Sequence, residues 1–151
     1  MKKYDKLLIL PAVIVIIAGI FSGFSNQSYD QIAEDLLRER TEILQNAYYG
    51  KIDRSTAETK LGKIETYPLL SEDIGNLKNS DPSQLDIVKS MDFIEVEQES
   101  KMFDYISMHM EIRWSMSGLS SDYISNNEYS VILKATKDGY KLSEFNPKHQ
   151  Y

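Results

Sequence analysis

The feature that most constrains this chain is an uninterrupted apolar run close to its start, residues 7–24. The run contains no charged residue, and Ser22 supplies its only polar side chain. As an α-helix, a segment of this length extends about 27 Å, which is close to the hydrocarbon thickness of a bilayer. No later stretch of the sequence is comparably apolar. The sequence therefore predicts a transmembrane helix over residues 7–24.

The charges around this run predict its orientation. Lysines at positions 2, 3 and 6 precede it, whereas residues 24–30 contain no Lys or Arg. Because positive charge stays on the cytoplasmic side, we expect residues 1–6 inside and an outer domain at residues 26–146, followed by a tail at residues 147–151. The predicted localisation is the cell membrane, crossed once.

A cleaved signal peptide is the alternative to a retained anchor. Gly23-Phe24-Ser25 is an acceptable cleavage site, and lysines followed by an apolar run are in the order that a signal peptide requires. Cleavage would release a secreted domain. The apolar core of a signal peptide usually spans about 7–15 residues, which is shorter than this run, so the length favours retention.

Composition excludes several classes of function. Residues 1–25 contain three lysines and one aspartate, so the formal charge of −6 for the whole chain leaves −8 on the remainder. An acidic domain is not expected to bind nucleic acid or anionic lipid headgroups by charge. The chain has no cysteine, which excludes disulfides, thiolate chemistry and lipid attachment through a cysteine.

A long helix is predicted over residues 28–49, where apolar residues recur at helical spacing. Ser28 and Gln31 fit a capping box at its start, and Gly50 supplies a stop. Arg40 interrupts the apolar stripe. Either its aliphatic stem lies along the surface with the charged group in water, or it pairs with a buried acid; the first interpretation is favoured.

Shorter helices follow the first. Ser55 and Glu58 form a second capping box, which predicts a helix from Ser55 to about Thr66. Pro68 ends it. A weak helical turn is predicted over residues 71–77, and one more short helix over residues 83–89.

The second half of the outer domain alternates polar and apolar residues, which is the strand pattern. The alternation covers residues 93–99 and then residues 102–116. The second range predicts one long strand, which must bend or be shared between partner strands. The apolar face of this strand consists of Ile106, Met108, Met110, Ile112, Trp114 and Met116, and its polar face of Phe103, Tyr105, Ser107, His109, Glu111, Arg113 and Ser115.

A hairpin is predicted near the end of the chain. Residues 117–127 are predicted to form a polar loop and residues 128–136 a strand. Asp138-Gly139 is typical of a type I′ turn, from which the chain returns as a strand over residues 140–145. The predicted register places Ala135 opposite Leu142 and Ile132 opposite Phe145. Helices followed by an antiparallel meander indicate an α+β fold, with the helices packed on one face of a curved sheet.

The order of these elements resembles the cone-shaped fold of the nuclear-transport-factor-two-like (cystatin-like) superfamily. The long first helix, the smaller helices, the long bent strand at residues 102–116 and the hairpin at Asp138-Gly139 carry the resemblance, which covers residues 28–146. An anchor followed by such a cone also resembles the tethered subunits of bacterial conjugation and secretion channels, which implies a scaffold role. Enzymes of this superfamily, such as steroid isomerases and polyketide cyclases, use an acid or a histidine inside the cone.

Candidate catalytic residues are few. His109 shares a strand face with Tyr105, Glu111 and Arg113, and residues two apart on one face are about 7 Å apart at Cα. Such a group could line a polar cavity, in which His109 beside Glu111 would act as a general base. The competing interpretation, which the mixed charges favour, is the solvated face of a sheet whose other face forms the core.

Two further patterns have a functional and a structural interpretation. Glu95, Glu97 and Glu99 fall on one strand face, as an acidic stripe that would suit a basic partner or would simply be solvated. The methionine-rich strand face would line an apolar ligand pocket or pack as core. The pocket would lie between that face and three residues of the first helix: Leu36, Leu37 and Ile43. No metal site or cofactor is expected.

The sequence thus predicts a membrane-anchored, extracytoplasmic interaction or accessory module, not an enzyme, which contacts the membrane through residues 7–24. The expected partner is another protein or a second copy of the chain, as in an envelope or conjugation-type complex. The alternative is a small-ligand-binding protein or an isomerase-like enzyme of the same fold that uses His109 and Glu111. No nucleic acid partner is expected.

Overall fold

The computed structural model describes residues 27–148. Three helices come first, α1 (Tyr29–Tyr48), α2 (Arg54–Ile64) and α3 (Leu69–Asn79). A 3₁₀ turn at Pro82–Gln84 leads into four strands, β1 (Ile87–Met102), β2 (Tyr105–Ser117), β3 (Asp122–Thr136) and β4 (Gly139–Pro147). The strands form one antiparallel sheet in the order β1-β2-β3-β4. The predicted α+β class is confirmed.

The predicted membrane segment at residues 7–24 lies outside the described residues, as do the predicted cytoplasmic residues 1–6. Within residues 27–148, none of the helices is both long and apolar enough to span a bilayer. The retained anchor and the cleaved signal peptide both stay predictions from the sequence.

Helix α1 begins and ends where local signals place it. Ser28 is the N-cap, and its Oγ accepts a hydrogen bond from the Gln31 backbone N–H at 3.3 Å. At the other end, Gly50 adopts a φ of +68°, and the N–H of Lys51 donates to the Asn46 carbonyl at 2.8 Å. This hydrogen bond past a left-handed glycine forms a Schellman motif. The predicted long first helix is confirmed.

The two shorter helices differ from the prediction. The N-cap of α2 is Asp53 and not Ser55, because the Asp53 carboxylate accepts the Thr56 backbone N–H at 2.8 Å and its charge favours a helix N-terminus. α3 is a full helix of 11 residues instead of a weak turn at residues 71–77. Leu69 and Asp73 of this helix are buried, and tertiary packing of this kind supplies most helix stability.

The predicted short helix at residues 83–89 is wrong, because β1 starts inside it. Only Pro82–Gln84 is helical, and the chain is extended from Ile87 onward. The cause is a tertiary contact. The Gln45 side chain accepts a hydrogen bond from the Val88 N–H at 2.7 Å and donates one to the Val88 carbonyl at 3.1 Å. Gln45 therefore acts as a strand neighbour along the edge of β1.

The predicted strand at residues 102–116 is confirmed from Tyr105 onward, as β2, but its start is wrong, because the chain reverses at Phe103-Asp104. Met102 pairs with Tyr105 across this turn, which separates β1 from β2. Phe103 has a φ of +51°, in the left-handed region that bulky residues rarely adopt. The turn contains neither Asn-Gly nor Asp-Gly, the usual sequence signals of a two-residue hairpin, so it could not be predicted from the sequence.

The last two turns are shorter or shifted relative to the prediction. The predicted loop at residues 117–127 shrinks to residues 118–121, because β2 runs to Ser117 and β3 starts at Asp122. Gly139 pairs with Thr136, so the final turn is Lys137-Asp138. The predicted register is corrected with it. Leu142 lies opposite Leu133 and not Ala135, and Phe145 lies opposite Val131 and not Ile132.

The inner face of the sheet packs against the helices and carries the core. The predicted apolar face of β2 is confirmed, since Ile106, Met108, Met110 and Ile112 are completely buried. They form one cluster with Leu37 of α1 and with inward residues of β3 and β4. A second cluster joins α1 to α2 and consists of Ile43, Ala57, Leu61 and Ile64.

Candidate interaction face and buried charge cluster

The face of the sheet that points away from the core is polar, and we call it the outer face. Residues of β2 alternate between the core and this face. Tyr105, His109, Glu111 and Arg113 therefore all lie on the outer face, as the sequence predicts. It is the face opposite to the packed interior between sheet and helices.

Three glutamates lie opposite one another across the outer face, and we call them the glutamate row. Glu111 of β2 pairs with Glu95 of β1 on one side and with Glu128 of β3 on the other. Side chains in such positions are about 5 Å apart at Cβ, and like charges there are unfavourable. Within residues 27–148, neither Glu95 nor Glu111 takes part in an ion pair. The row is therefore a concentration of negative charge.

His109 lies beside the glutamate row. Its Nε2 is 3.9 Å from Oε2 of Glu128, and its side chain is 19% exposed. Its Nδ1 is buried and has no hydrogen-bond partner among the described residues. The acid that His109 approaches is thus Glu128 on the next strand, and not Glu111, the partner predicted from the sequence. Glu128 is 39% exposed, so the pair resembles a surface contact more than an acid–base site.

The structure divides the predicted acidic stripe of β1. Glu95 and Glu97 pair with outer-face residues of β2. Glu99 lies at a register shift, where it accepts hydrogen bonds from Lys148 Nζ at 3.0 Å and from the Ser107 hydroxyl at 3.2 Å. The Lys148 ammonium lowers the pKa of the Glu99 carboxyl. Glu99 is thus neutralised within the domain, whereas Glu95 and Glu97 remain exposed.

The two other predicted site residues contact their own neighbours. Nε of Arg113 donates to Oδ1 of Asn126 at 3.4 Å. Tyr105 lies near the β1–β2 turn, 44% exposed, with Lys134 Nζ 5.3 Å from its ring centre. Arg113 and Tyr105 lie at the two ends of the predicted group and do not converge on His109.

A large open groove runs along the first half of α1, between β1 and the β3–β4 turn, with a volume of about 1070 Å³. Acidic residues form much of its lining: Asp30, Asp35, Glu39, Glu97 and Asp138. Between α1 and the methionine-rich strand face, Leu37, Met108 and Met110 are buried, so the core interpretation of that face is right and the alternative of a ligand pocket there is wrong.

A buried charge cluster joins α1, the segment after α2, and α3. Arg40 Nε donates to Oδ2 of Asp73 and Nη2 donates to Oδ1, both at 2.7 Å. Oε1 of Glu65 lies 3.2 Å from the same Nε. The Arg40 guanidinium also lies 5.1 Å from the centre of the Phe145 ring. The favoured interpretation of Arg40, with its charge in water, is therefore wrong, and the buried-acid alternative is right.

Glu65 is the unfavourable member of this cluster. Its side chain is completely buried, and Nε of Arg40 is already committed to Asp73, so neither Glu65 oxygen receives a well-aligned hydrogen bond. Burial, followed by the nearby negative charge of Asp73, raises the pKa of Glu65 to about 9. At neutral pH the cluster therefore holds one positive and one negative charge and a protonated Glu65.

Comparison with known proteins supports the fold and leaves the family open. No protein-family model and no curated protein sequence matches the chain. Among solved structures, the intermembrane space region of the chloroplast protein ARC6 is similar, with a TM-score of 0.51 at 11% sequence identity. The alignment covers 83% of this chain and 100% of that one. At this identity the similarity shows an α+β fold alone, and the predicted nuclear-transport-factor-two-like family is not confirmed.

The sequence predicts the shared face of Tyr105, His109, Glu111 and Arg113 but not the glutamate row. The row depends on which residues of β1 and β3 lie beside Glu111, and the register of these strands on β2 cannot be derived from the sequence. The only available signal was the excess of acidic residues in alternating positions of β1. Within residues 27–148, no group of His, Asp and Glu has a geometry suited to a metal ion.

Proposed function

We propose that this chain is a single-pass membrane protein whose α+β domain, outside the cytoplasm, binds a basic surface of another protein through the outer face. The glutamate row, Glu95–Glu111–Glu128, is the observation that carries the proposal. Like charges placed directly opposite one another weaken a sheet, so the arrangement does not serve the stability of the isolated domain. A partner that presents Lys or Arg would relieve this repulsion on binding.

The membrane part of the proposal comes from the sequence. The apolar run at residues 7–24 and the lysines before it support an anchor with the domain outside the cytoplasm. The similarly folded domain of ARC6 is an intermembrane space region, which supports a location outside the cytoplasm for this domain too. Three residue steps separate Phe24 from Gln27, the first described residue, so the domain would follow the membrane closely.

A second candidate function is small-ligand binding, which the groove along α1 favours. Its volume, about 1070 Å³, is comparable to that of pockets that hold small molecules, which are about 300–1,000 Å³. Its acidic lining would select a cationic ligand. An isomerase-like reaction at His109 and Glu111 would require a separate site, because both residues lie on the outer face and neither lines the groove. Replacing both with Ala would leave the fold intact and abolish ligand binding at the outer face, and a broad thermal-shift screen of the wild type would detect such a ligand.

The native mass of the full-length protein, gently solubilised from its own membranes, tests the main proposal. We expect the wild type to migrate in an assembly that dissociates with increasing salt, because the contact is electrostatic. A variant with Gln at positions 95, 111 and 128 should migrate without its partner. Its free energy of unfolding should stay equal or rise by about 0.5–1 kcal/mol, since the repulsion is removed.

The matched control removes the same number of charges from the helices, with Gln in place of Glu42, Glu58 and Glu72. This variant should keep the assembly. An assembly that survives the change at the glutamate row, or a wild type that migrates alone, would refute the proposed interaction.

A further inference from the structure

We infer that the turn between β1 and β2 inserts the side chains of Met102 and Phe103 into the interface of the bilayer to which residues 7–24 attach the chain. The inference rests on the proposed anchor. The turn would then be a second, reversible membrane contact, made by the folded domain itself. This contact would fix the orientation of the domain relative to the bilayer.

The turn lies at the end of the domain where the chain leaves the predicted anchor. Tyr29, two residues after Gln27, accepts a hydrogen bond from Lys101 Nζ at 2.6 Å. Its ring packs edge to face on Tyr140, which follows the β3–β4 turn, at 5.3 Å between centroids. The start of α1 and these two turns therefore lie together.

The two turns are also joined to each other. The Asp104 carbonyl accepts a hydrogen bond from the Ala135 N–H at 2.6 Å. The β2–β3 turn lies at the opposite end of the sheet, where Ser117 pairs with Ile87 at the start of β1. The Tyr49 hydroxyl, just after α1, donates to the carbonyl of Leu85 at that same end. The domain thus has one end near the predicted anchor and one end away from it.

The distance to the membrane is short whatever conformation residues 25 and 26 adopt. Three residue steps from Phe24 to Gln27 span at most about 10 Å of extended chain. The exit of the apolar run is therefore within about 10 Å of the end of the domain that carries the β1–β2 turn. A bilayer at that position would be close enough to contact this turn.

The exposed side chains at this turn are those that favour a membrane interface. Phe103 is 90% exposed, Met102 is 65% exposed and Tyr105 is 44% exposed. Aromatic residues and lysines are enriched at the level of the headgroups. Lysines and aspartates surround the turn in nearly equal number, so the contact depends on apolar insertion and not on anionic lipid: Lys101, Lys134, Lys137, Asp104 and Asp138.

The cysteine-free sequence allows a direct test by site-specific labelling. Full-length F103C and L119C proteins would carry an environment-sensitive fluorophore and be placed in phosphatidylcholine vesicles. Leu119, in the β2–β3 turn, is 87% exposed and is the matched control at the far end. We expect a blue-shifted emission at position 103 that brominated phosphatidylcholine quenches, and neither effect at position 119.

A second pair of variants tests whether Phe103 itself makes the contact. The same probe at position 102 should be quenched when Phe103 is present and lose its quenching in M102C/F103N. Asn tolerates the positive φ of this turn, so the variant should keep its fold and melting temperature.

Vesicle flotation separates the two ways in which the proposals could fail. Full-length protein that does not float with the vesicles would refute the anchor and the turn contact together. Protein that floats but shows the same water-exposed emission at positions 103 and 119 would refute only the turn contact. In that case the exposed turn would be free for a protein partner.

Discussion

Arg40 and Asp73 form a buried, two-pronged ion pair between α1 and α3, with both N–O distances at 2.7 Å. Asp73 is 2% exposed, so its charge depends on Arg40 for compensation. The same guanidinium lies 3.2 Å from Glu65, just after α2. One side chain of the first helix therefore ties α1 to α3 and lies beside the buried carboxyl that follows α2.

We expect Arg40→Met to destabilise the domain by about 3–5 kcal/mol, because Asp73 would be left buried without a counter-charge. Urea unfolding of the two proteins measures the difference. Arg54→Met is the matched control, since Arg54 is 56% exposed and reaches Glu58 only at 3.9 Å. Its effect should stay below about 1 kcal/mol. Equal effects of the two substitutions would contradict a structural role for the buried pair.

Glu65 should make the stability fall as the pH rises. Its pKa is 4.5 as an ordinary carboxyl and about 9 in the folded domain, so between these values the folded state binds the extra proton. Within this pH range the free energy of unfolding therefore decreases by about 1.4 kcal/mol for each unit by which the pH rises. Glu65→Gln removes this dependence.

Denaturant titrations of wild type and Glu65→Gln at a series of pH values between 4.5 and about 9 measure this effect. The advantage of the Gln variant over the wild type should grow steadily with pH. A constant difference between the two proteins would show that Glu65 is already ionised in the folded domain at low pH.

The hydrogen bonds from Gln45 to the edge of β1 should contribute measurably to stability. Gln45→Ala leaves both backbone groups of Val88 without their partners, and we expect a loss of about 1–3 kcal/mol. Glu42, exposed on the same helix, supplies the control. Glu42→Ala should change the stability by less than about 0.5 kcal/mol. Hydrogen exchange at Val88 should accelerate only in the Gln45 variant.

Met110→Asp should unfold the domain, because Met110 is completely buried on the inner face of β2 and an unpaired carboxylate cannot be accommodated there. Met102→Asp makes the same chemical change at a residue that is 65% exposed, and it should melt within a few degrees of the wild type. Far-UV circular dichroism during heating distinguishes the two. Wild-type melting of Met110→Asp would mean that the two faces of the sheet are assigned the wrong way round.

Some of these features follow from short stretches of sequence and others do not. The limits of α1 follow from Ser28, Gly50 and the helical spacing between them, which act within a few residues. The inner face of β2 follows from alternation, because every second residue of a strand with one buried face must be apolar. Both signals are local, and the structure confirms both.

The sequence by itself determined the apolar run, the first helix, the apolar face of β2 and the α+β class, since each follows from a pattern of neighbouring residues. Tertiary structure decided the rest. The partners of Arg40 lie 25 and 33 residues along the chain, and the neighbours of Glu111 belong to two other strands. The first residues of β1 are strand because the end of β2 pairs with them and Gln45 binds their backbone as well. The last hairpin takes the register that buries Leu133 and Leu142 together. Contacts between residues so far apart in the sequence depend on which apolar surfaces are buried against one another in the fold. A pattern of neighbouring residues does not specify them.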